Sequence, residues 1–297
     1  MDQYLNVFVK VVEKENFSKV ASELHMTQPA VSQYIKALEE TVGTRLLERS
    51  NKFVRMNKAG EIVYHHAKEI LALYAKMQSS LDDLTNQRSG PISIGASYTF
   101  GEYILPKIIV QLKRQFPEIH PTITIHNTKD ICELVATHQL DVGIIEGPCH
   151  DKKLNIERIS EDHMFIVASP QHPFVKKEKI WFSDLKEETW ILREKGSGTR
   201  QAADNLFELY GFTPQNILEF GSTQLIKESV EAGLGISLLS SRAIEKERLN
   251  GYIDIIPVIE LPFKRSFSIV TQTIYQTKVL ETFIALVKTA VQPANTH

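Results

Sequence analysis

Four short clusters of hydroxyl residues stand where helices are expected to begin: Ser97, Tyr98 and Thr99; Thr128; Thr199 and Arg200; and Ser222 and Thr223. A helix start offers free backbone N–H groups and the positive end of the helix dipole, so added hydroxyl donors make it a seat for an anion. If these starts converge on one cleft, they form an anion site with little charge of its own. Its one guanidinium would come from Arg200, and its ligand would be a small anion or carboxylate. The run from Gly196 to Arg200, GSGTR, lacks the GxxxxGK[ST] spacing of a phosphate-binding P-loop. A plain helix-start turn is the bland alternative, since Ser and Thr cap helices everywhere.

Other chemistry is hard to find. Neither Gly95–Thr99 nor Gly196–Gly198 makes the GxSxG elbow of a serine hydrolase. The ten histidines form no HExxH, and the adjacent pair His65 and His66 falls in a helical pattern where solvation is the simpler reading. No acid–base or nucleophilic constellation is legible, so no enzyme is expected, and no cofactor or metal. The two cysteines, Cys132 and Cys149, are too few for a disulfide framework and have no metal-ligand spacing. One falls in a helical pattern and the other in a loop, with nothing in the sequence to bring them within disulfide reach. Reduced thiols are expected; a redox sensor built on this pair, or a small-anion-binding protein, is the alternative function.

A second group of residues suits contact with base edges. Thr27 is expected to cap a helix running from Gln28 to about Glu40, with Pro29 tolerated in its first turn. Val31, Ile35 and Leu38 share one face of that helix. Gln28, Pro29, Ser32, Gln33 and Lys36 therefore share the other, toward the end that enters a major groove. A first helix from about Asp2 to Glu13 carries Leu5, Phe8, Val9 and Val12 on one face. Ser18 is expected to cap a second helix that ends near His25. Ser18 and Thr27, at the two helix starts, join the candidate DNA contacts. The turn His25-Met26-Thr27 is as short as that of a helix-turn-helix. An ordinary three-helix bundle with a solvated outer face is the competing reading.

The next segment favours the helix-turn-helix. RSNKFVRMNK, residues 49–58, alternates basic and apolar side chains as a two-stranded wing would, placing Arg49, Lys52 and Arg55 against phosphates. From Asn57, a suitable N-cap, a long helix is expected to about Asn86. Val63, Ala67, Ile70, Tyr74, Met77, Leu81 and Leu84 form a heptad seam along it, which argues for pairing with a second copy rather than burial in a compact core. Two helix-turn-helix units held by paired helices suit a two-fold DNA site.

Past the polar stretch 85–91, whose Gly90-Pro91 step stops a helix, the chain alternates apolar strands and helices in the manner of a parallel α/β sheet. Three regions follow: a winged helix-turn-helix at 1–58, a linker helix for dimerisation at 59–90, and an effector domain at 91–297. The last divides into subdomain I (91–161 and 268–297) and subdomain II (162–267). A chain crossing twice between two such subdomains leaves a cleft at the strand C-termini, where α/β sheets bind ligands.

Taken together, NFSKVASELHMTQPAVSQYIKALEETVGTRLLERSNKFVRMNKAGE resembles the DNA-binding region of LysR-type transcriptional regulators, and the resemblance extends over the whole chain. It implies an N-terminal all-α winged helix-turn-helix, a linker helix, and a C-terminal α/β domain similar to periplasmic binding proteins. It also implies a homotetramer built as a dimer of dimers, double-stranded operator DNA and a small-molecule effector as partners, and RNA polymerase as a further partner if the protein activates. Gln33 and Tyr34 depart from the Arg and Gln common in the family after the recognition-helix Ser, so base preference cannot be carried over. Asn57 replaces the usual capping Thr and keeps the role. In the effector domain, REKGSGTR, YTFGEYILP, HNT and IIEG look most like the branch that includes regulators of sulfur assimilation and sulfite reduction, which points to an inorganic sulfur anion or a sulfur-containing metabolite.

Composition is compatible with all of this. Of 297 residues, 42% are hydrophobic and 24% charged, which excludes a disordered chain. Net charge is −2, yet residues 1–58 carry nine basic and seven acidic side chains, leaving −4 for the rest. The local excess lies at Arg45, Arg49, Lys52, Arg55 and Lys58. No apolar run approaches the roughly 18 residues of a membrane span. The first segment, with Asp2 in front and Lys10 inside its apolar stretch, is unlike a secretory signal, so a cytoplasmic location is expected.

Overall fold

A computed structural model describes residues 2–49, 53–82, 89–272 and 277–291. The chain forms two compact units, residues 1–85 and 86–297.

The first unit contains α1 (Asp2–Lys14), α2 (Phe17–Glu23), α3 (Gln28–Val42), β1 (Leu47–Arg49), β2 (Val54–Met56) and α4 (Lys58–Asp82). Phe8, Val11, Val20, Val31, Ile35, Leu38 and Leu46 make its core. Burying that many apolar side chains, at about 1.5–3 kcal/mol each, is what offsets the ordering of the unit's four helices. Thr27 caps α3 as expected, accepting from the Ala30 N–H at 3.3 Å, and Gly43 ends it in the left-handed conformation at φ 80°. Ser18 does not cap α2. Asn16 does, accepting from the Lys19 N–H at 2.9 Å, because it is Asn16 that adopts the extended backbone a cap needs. α2 also ends earlier than expected, at Glu23, because His25 turns the chain at φ 53°.

Strands β1 and β2 pair antiparallel, Leu47 opposite Met56, and form the wing. The Glu39 carboxylate accepts from the Leu46 and Leu47 N–H groups at 2.8 and 3.3 Å, tying the wing to α3. Asn57 accepts from the Gly60 N–H at 2.8 Å and donates to the Arg45 carbonyl at 2.8 Å, so it caps α4 and holds the wing's entry. Gly60 must be glycine: a Cβ there would lie 2.2 Å from the Leu46 carbonyl oxygen.

The second unit opens with β3 (Gly90–Ala96), α5 (Tyr98–Tyr103), α6 (Leu105–Gln115), β4 (Ile119–Ile125), α7 (Thr128–Ala136) and β5 (Val142–Glu146). After β6 (Asn155–Ala168) come β7 (Thr189–Arg193), α8 (Gly198–Leu209), β8 (Asn216–Phe220), α9 (Thr223–Glu231), β9 (Ser237–Ser240), α10 (Ser241–Leu249) and β10 (Asp254–Ile255). It closes with β11 (Phe263–Thr271) and α11 (Lys278–Val291). Strands β4, β3 and β5 are parallel; β11 runs antiparallel between β5 and β6, and β6 also pairs with β9 and β10. The long strands β6 and β11 thus thread both halves of the unit. Their register shifts between Phe267 and Ser268. On one side of this pair lies a core of Ile94, Phe100, Leu105, Ile144 and Phe283; on the other, one of Met164, Ile166, Trp190, Leu206 and Phe207. Two cores joined by one strand pair are what a cleft between subdomains requires.

Candidate DNA-reading face and effector cleft

On α3, Val31, Ile35 and Leu38 are buried, whereas Gln28, Pro29, Gln33 and Lys36 are exposed and Ser32 is half-buried. The Gln28 amide donates to Ser32 Oγ at 3.1 Å, so the two present one joint polar surface. Lys36 lies 3.6 Å from Glu40 in a fully solvated pair. A groove beside this helix is lined by Ser32, Gln33, Lys36, Arg45 and Asn57, which adds Arg45 to the candidate contacts. Arg55 is exposed on the wing, 5.4 Å from the Phe53 ring. Lys52, Leu84 and the Arg49 side chain lie outside the described residues.

The heptad seam divides. Ala67 is 1% exposed and Val63 half-buried, both packed on the winged-helix core. They serve the unit's own interior, and α4 belongs to the first unit rather than to a separate linker. Ile70, Tyr74, Met77 and Leu81, by contrast, are each about half exposed, as are Ile62 and Leu73.

In the second unit the expected helix starts do converge, but around groups that lie elsewhere in the sequence. Arg265, on β11 and 7% exposed, is the centre. Its Nε donates to Asp162 Oδ2 on β6 at 2.7 Å, and its two terminal nitrogens donate to Thr199 Oγ1 and Thr99 Oγ1, both at 3.0 Å. It also pairs with the Glu146 carboxylate at the end of β5. Glu146 in turn accepts from the Thr99 N–H at 2.8 Å, and its backbone carbonyl accepts from the Thr128 hydroxyl at 2.7 Å. Asp162 accepts from Ser240 Oγ at 2.7 Å. The walls meet closely here. A Cβ on Gly198 would lie 1.8 Å from the Glu146 carbonyl oxygen, which is why the GSGTR turn needs glycine at that position.

A second arginine flanks the first. Arg193 is 1% exposed, paired in bidentate fashion with Glu194 at 2.7 and 2.8 Å, and bonded to Thr223 Oγ1 at 3.0 Å. Its guanidinium carbon sits 4.3 Å from the centroid of the Tyr98 ring, a cation–π contact between a residue of α5 and one of β7. Burial alone would raise the Glu194 carboxyl, but the Arg193 pairing outweighs it and holds that group below its ordinary range. At the far end of α5, Tyr103 lies under Lys227, 5.0 Å from ring centroid to Nζ. Burial, the largest effect, pushes the Tyr103 phenol up.

Thr99, Thr128 and Thr199 therefore belong to one network, and Tyr98 and Thr223 to the adjoining one. Ser97 is buried beside them, but its hydroxyl is bonded to the Ile144 carbonyl at 3.3 Å. Arg200 is a correction. Its guanidinium is held by Asp204 at 2.9 Å, Glu219 at 2.7 Å and the Arg193 carbonyl at 3.1 Å, leaving it committed to its own helix and β8. Ser222 caps α9, accepting from the Leu225 N–H, and stands outside both networks. Sequence reasoning missed Glu146, Asp162, Arg193 and Arg265. The signal was there in part: Glu146 and Arg193 end strands that are otherwise apolar.

Cys132 and Cys149 also come together, against the sequence expectation. Both belong to one cluster with Ile131, Val135 and Leu140, and burial, with the neighbouring Cys149 thiol adding to it, pushes the Cys132 thiol up.

Residues 3–61 match the bacterial regulatory helix-turn-helix domain of the lysR family, and residues 85–292 match the LysR substrate binding domain. The chain belongs to the LysR family of transcriptional regulators. It is 37% identical to the HTH-type transcriptional regulator CysL of Bacillus subtilis, over 97% of each chain. It is 32% identical to the HTH-type transcriptional activator CmpR of Synechocystis, covering 94% of this chain and 91% of the other. Among solved structures, CbnR, a LysR family transcriptional regulator, superimposes with a TM-score of 0.75 at 19% identity over 99% of this chain and 100% of that one. The regulatory domain of Synechocystis CcmR, solved with 2-PG, gives a TM-score of 0.64 at 26% identity, over 69% of this chain and 99% of that one. As a LysR-type regulator the protein binds DNA through its helix-turn-helix and carries an effector-binding domain. Among the described residues no helix is long and apolar enough to cross a membrane.

Proposed function

We propose that this regulator reads a two-fold operator through α3 and its wing, as a dimer paired along the outer half of α4. A small anion or carboxylate in the Thr99–Thr199 cleft sets its activity. The observation that carries the effector reading is the pair of hydrogen bonds that Arg265 donates to Thr99 and Thr199. Both hydroxyl oxygens accept from the guanidinium, so each keeps its own O–H proton to give away. Donors held on two facing walls suit a ligand rich in acceptors. Arg265 already faces two carboxylates, Glu146 and Asp162, so no cationic surplus remains and the ligand is held by hydroxyl and amide dipoles. That favours a compact anion over a polyanion. The sulfur-regulator motifs of the effector domain favour an oxidised sulfur anion or a sulfur-containing metabolite, and no reaction is assigned to the cleft.

Dimer formation is supported by the exposure of Ile70, Tyr74, Met77 and Leu81 on one seam of a 25-residue helix, more apolar surface than a solvated helix carries. The ligand acts by binding one arrangement of the two subdomains better than another, shifting a pre-existing equilibrium that the DNA-binding heads report. Effector domains of two dimers make the second contact in a tetramer. A thermal-shift series with sulfate, sulfite, thiosulfate and neutral metabolites tests the effector class, since a ligand of the folded state raises the midpoint with concentration. A rise with the anions alone is expected; a rise with neutral metabolites alone refutes the class.

A further inference from the structure

We propose that Cys132 and Cys149 form a peroxide-sensitive dithiol that closes to a reversible disulfide between α7 and the segment following β5. These are the only two cysteines of the chain, and they come from different elements. α7 packs along β5, which buries Cys132 (8% exposed) against Ile131 and Val135. Beyond β5, Gly147 turns the chain in a left-handed conformation at φ 88°, and Pro148 then delivers Cys149 onto the same cluster. Cys149 packs against the same buried cluster that holds Cys132. Two thiols brought into one cluster by packed elements can reach disulfide geometry through a local rearrangement.

The pair is asymmetric, and the asymmetry orders the chemistry. Cys149 is half-buried and flanked by the exposed residues His150, Asp151, Lys152 and Lys153, whereas Cys132 lies inside. A hydroperoxide meets Cys149 first. Its sulfur attacks the O–O bond; an S–O bond forms, the O–O bond breaks, and water or the parent alcohol leaves with the thiol proton. Cys149 is then a sulfenic acid. The Cys132 sulfur attacks the sulfenic sulfur, the S–S bond forms, and the S–O bond breaks. Hydroxide leaves as water with the Cys132 proton. Two thiols lose two electrons and two protons, and one hydroperoxide is reduced. The elements so joined also hold the network described above, since Thr128 opens α7 and bonds to the Glu146 carbonyl, three residues before Cys149.

The test uses the reduced full-length protein, exposed to a small excess of hydrogen peroxide, denatured with an alkylating agent and mapped by mass spectrometry. Expected are a crosslinked Cys132–Cys149 peptide, loss of both free thiols in step, and full recovery with dithiothreitol. In Cys132→Ser the sulfenic acid should persist on Cys149 and be trapped by dimedone. In Cys149→Ser, the Cys132 thiol should be lost about tenfold more slowly or less, since access and thiolate character control the attack. Retention of both free thiols in the wild type would overturn the proposal. So would over-oxidation of Cys149 with no crosslink. Neither result depends on whether an anion occupies the cleft, so this proposal and the effector reading fail separately.

Discussion

Thr99 Oγ1 and Thr199 Oγ1 sit on the two terminal nitrogens of one guanidinium, each 3.0 Å from Arg265. They open α5 and α8, helices built on different cores, so one side chain on the strand pair between them fastens both walls. Arg265 also offsets the charges of Glu146 and Asp162, each 2% exposed. Arg265→Met should therefore cost about 3–5 kcal/mol, because it strands two buried carboxylates. Urea unfolding of the second unit, followed by the fluorescence of its two tryptophans, measures this. Adding Glu146→Gln to Arg265→Met should recover part of the loss.

On the DNA-reading face, the Gln28–Ser32 hydrogen bond marks a polar surface free to exchange partners with a base edge. Gln28→Ala should weaken operator binding by about 1–3 kcal/mol while sparing binding to unrelated DNA. Arg55→Ala should weaken both alike and reduce the salt slope by about one. Fluorescence anisotropy at several salt concentrations separates the two outcomes.

Much of this was legible in the chain itself. The α3 stripe of Val31, Ile35 and Leu38, the Thr27 cap and the wing's alternation are local signals, and local periodicity and capping are what a sequence displays directly. Asn16 and Ser18 are both good caps, and the backbone decides between them: Asn16 is the extended one. The cleft was half legible. Thr99, Thr128 and Thr199 mark their helix starts, but the groups that bind them together come from β5, β6 and β11. No pattern within a single element announces that Arg265 will meet Thr99, 166 residues away. Arg200 misled because a cation next to a glycine-rich turn looks like a ligand group. Only the fold shows Asp204 and Glu219 already holding it. Cys132 and Cys149 likewise meet only through the packing of α7 on β5.

Along α4, Met77 and Ile70 are about half exposed and lie on the seam left open once Val63 and Ala67 enter the core. Met77→Asp should dissociate the dimer at micromolar concentration, since pairing would bury an unpartnered carboxylate. Because Met77 makes no part of the winged-helix core, the circular dichroism of the protein should change little. Sedimentation velocity reads the assembly state, and a wild type that is monomeric under these conditions contradicts the pairing.

Acid should loosen the Arg193 pair. Glu194 is held below its ordinary range in the folded chain, so it contributes stability above the usual carboxylate pKa of about 4.3 and loses that contribution as pH falls through the lower folded value. The destabilisation caused by Glu194→Gln should be fully present at pH 6 and shrink below about pH 4. Urea midpoints of the two proteins across that range check the sign.

Isothermal titration of the regulator shows whether the Thr99–Thr199 cleft senses a small anion. Whichever of sulfate, sulfite or thiosulfate raises the thermal midpoint is titrated into the wild type, Thr199→Ala and Thr99→Ala. Losing one hydroxyl donor to a charged ligand should cost about 1.5–3 kcal/mol, a weakening of roughly tenfold or more in each variant. If the anion binds both variants as tightly as the wild type, the cleft is not the sensor.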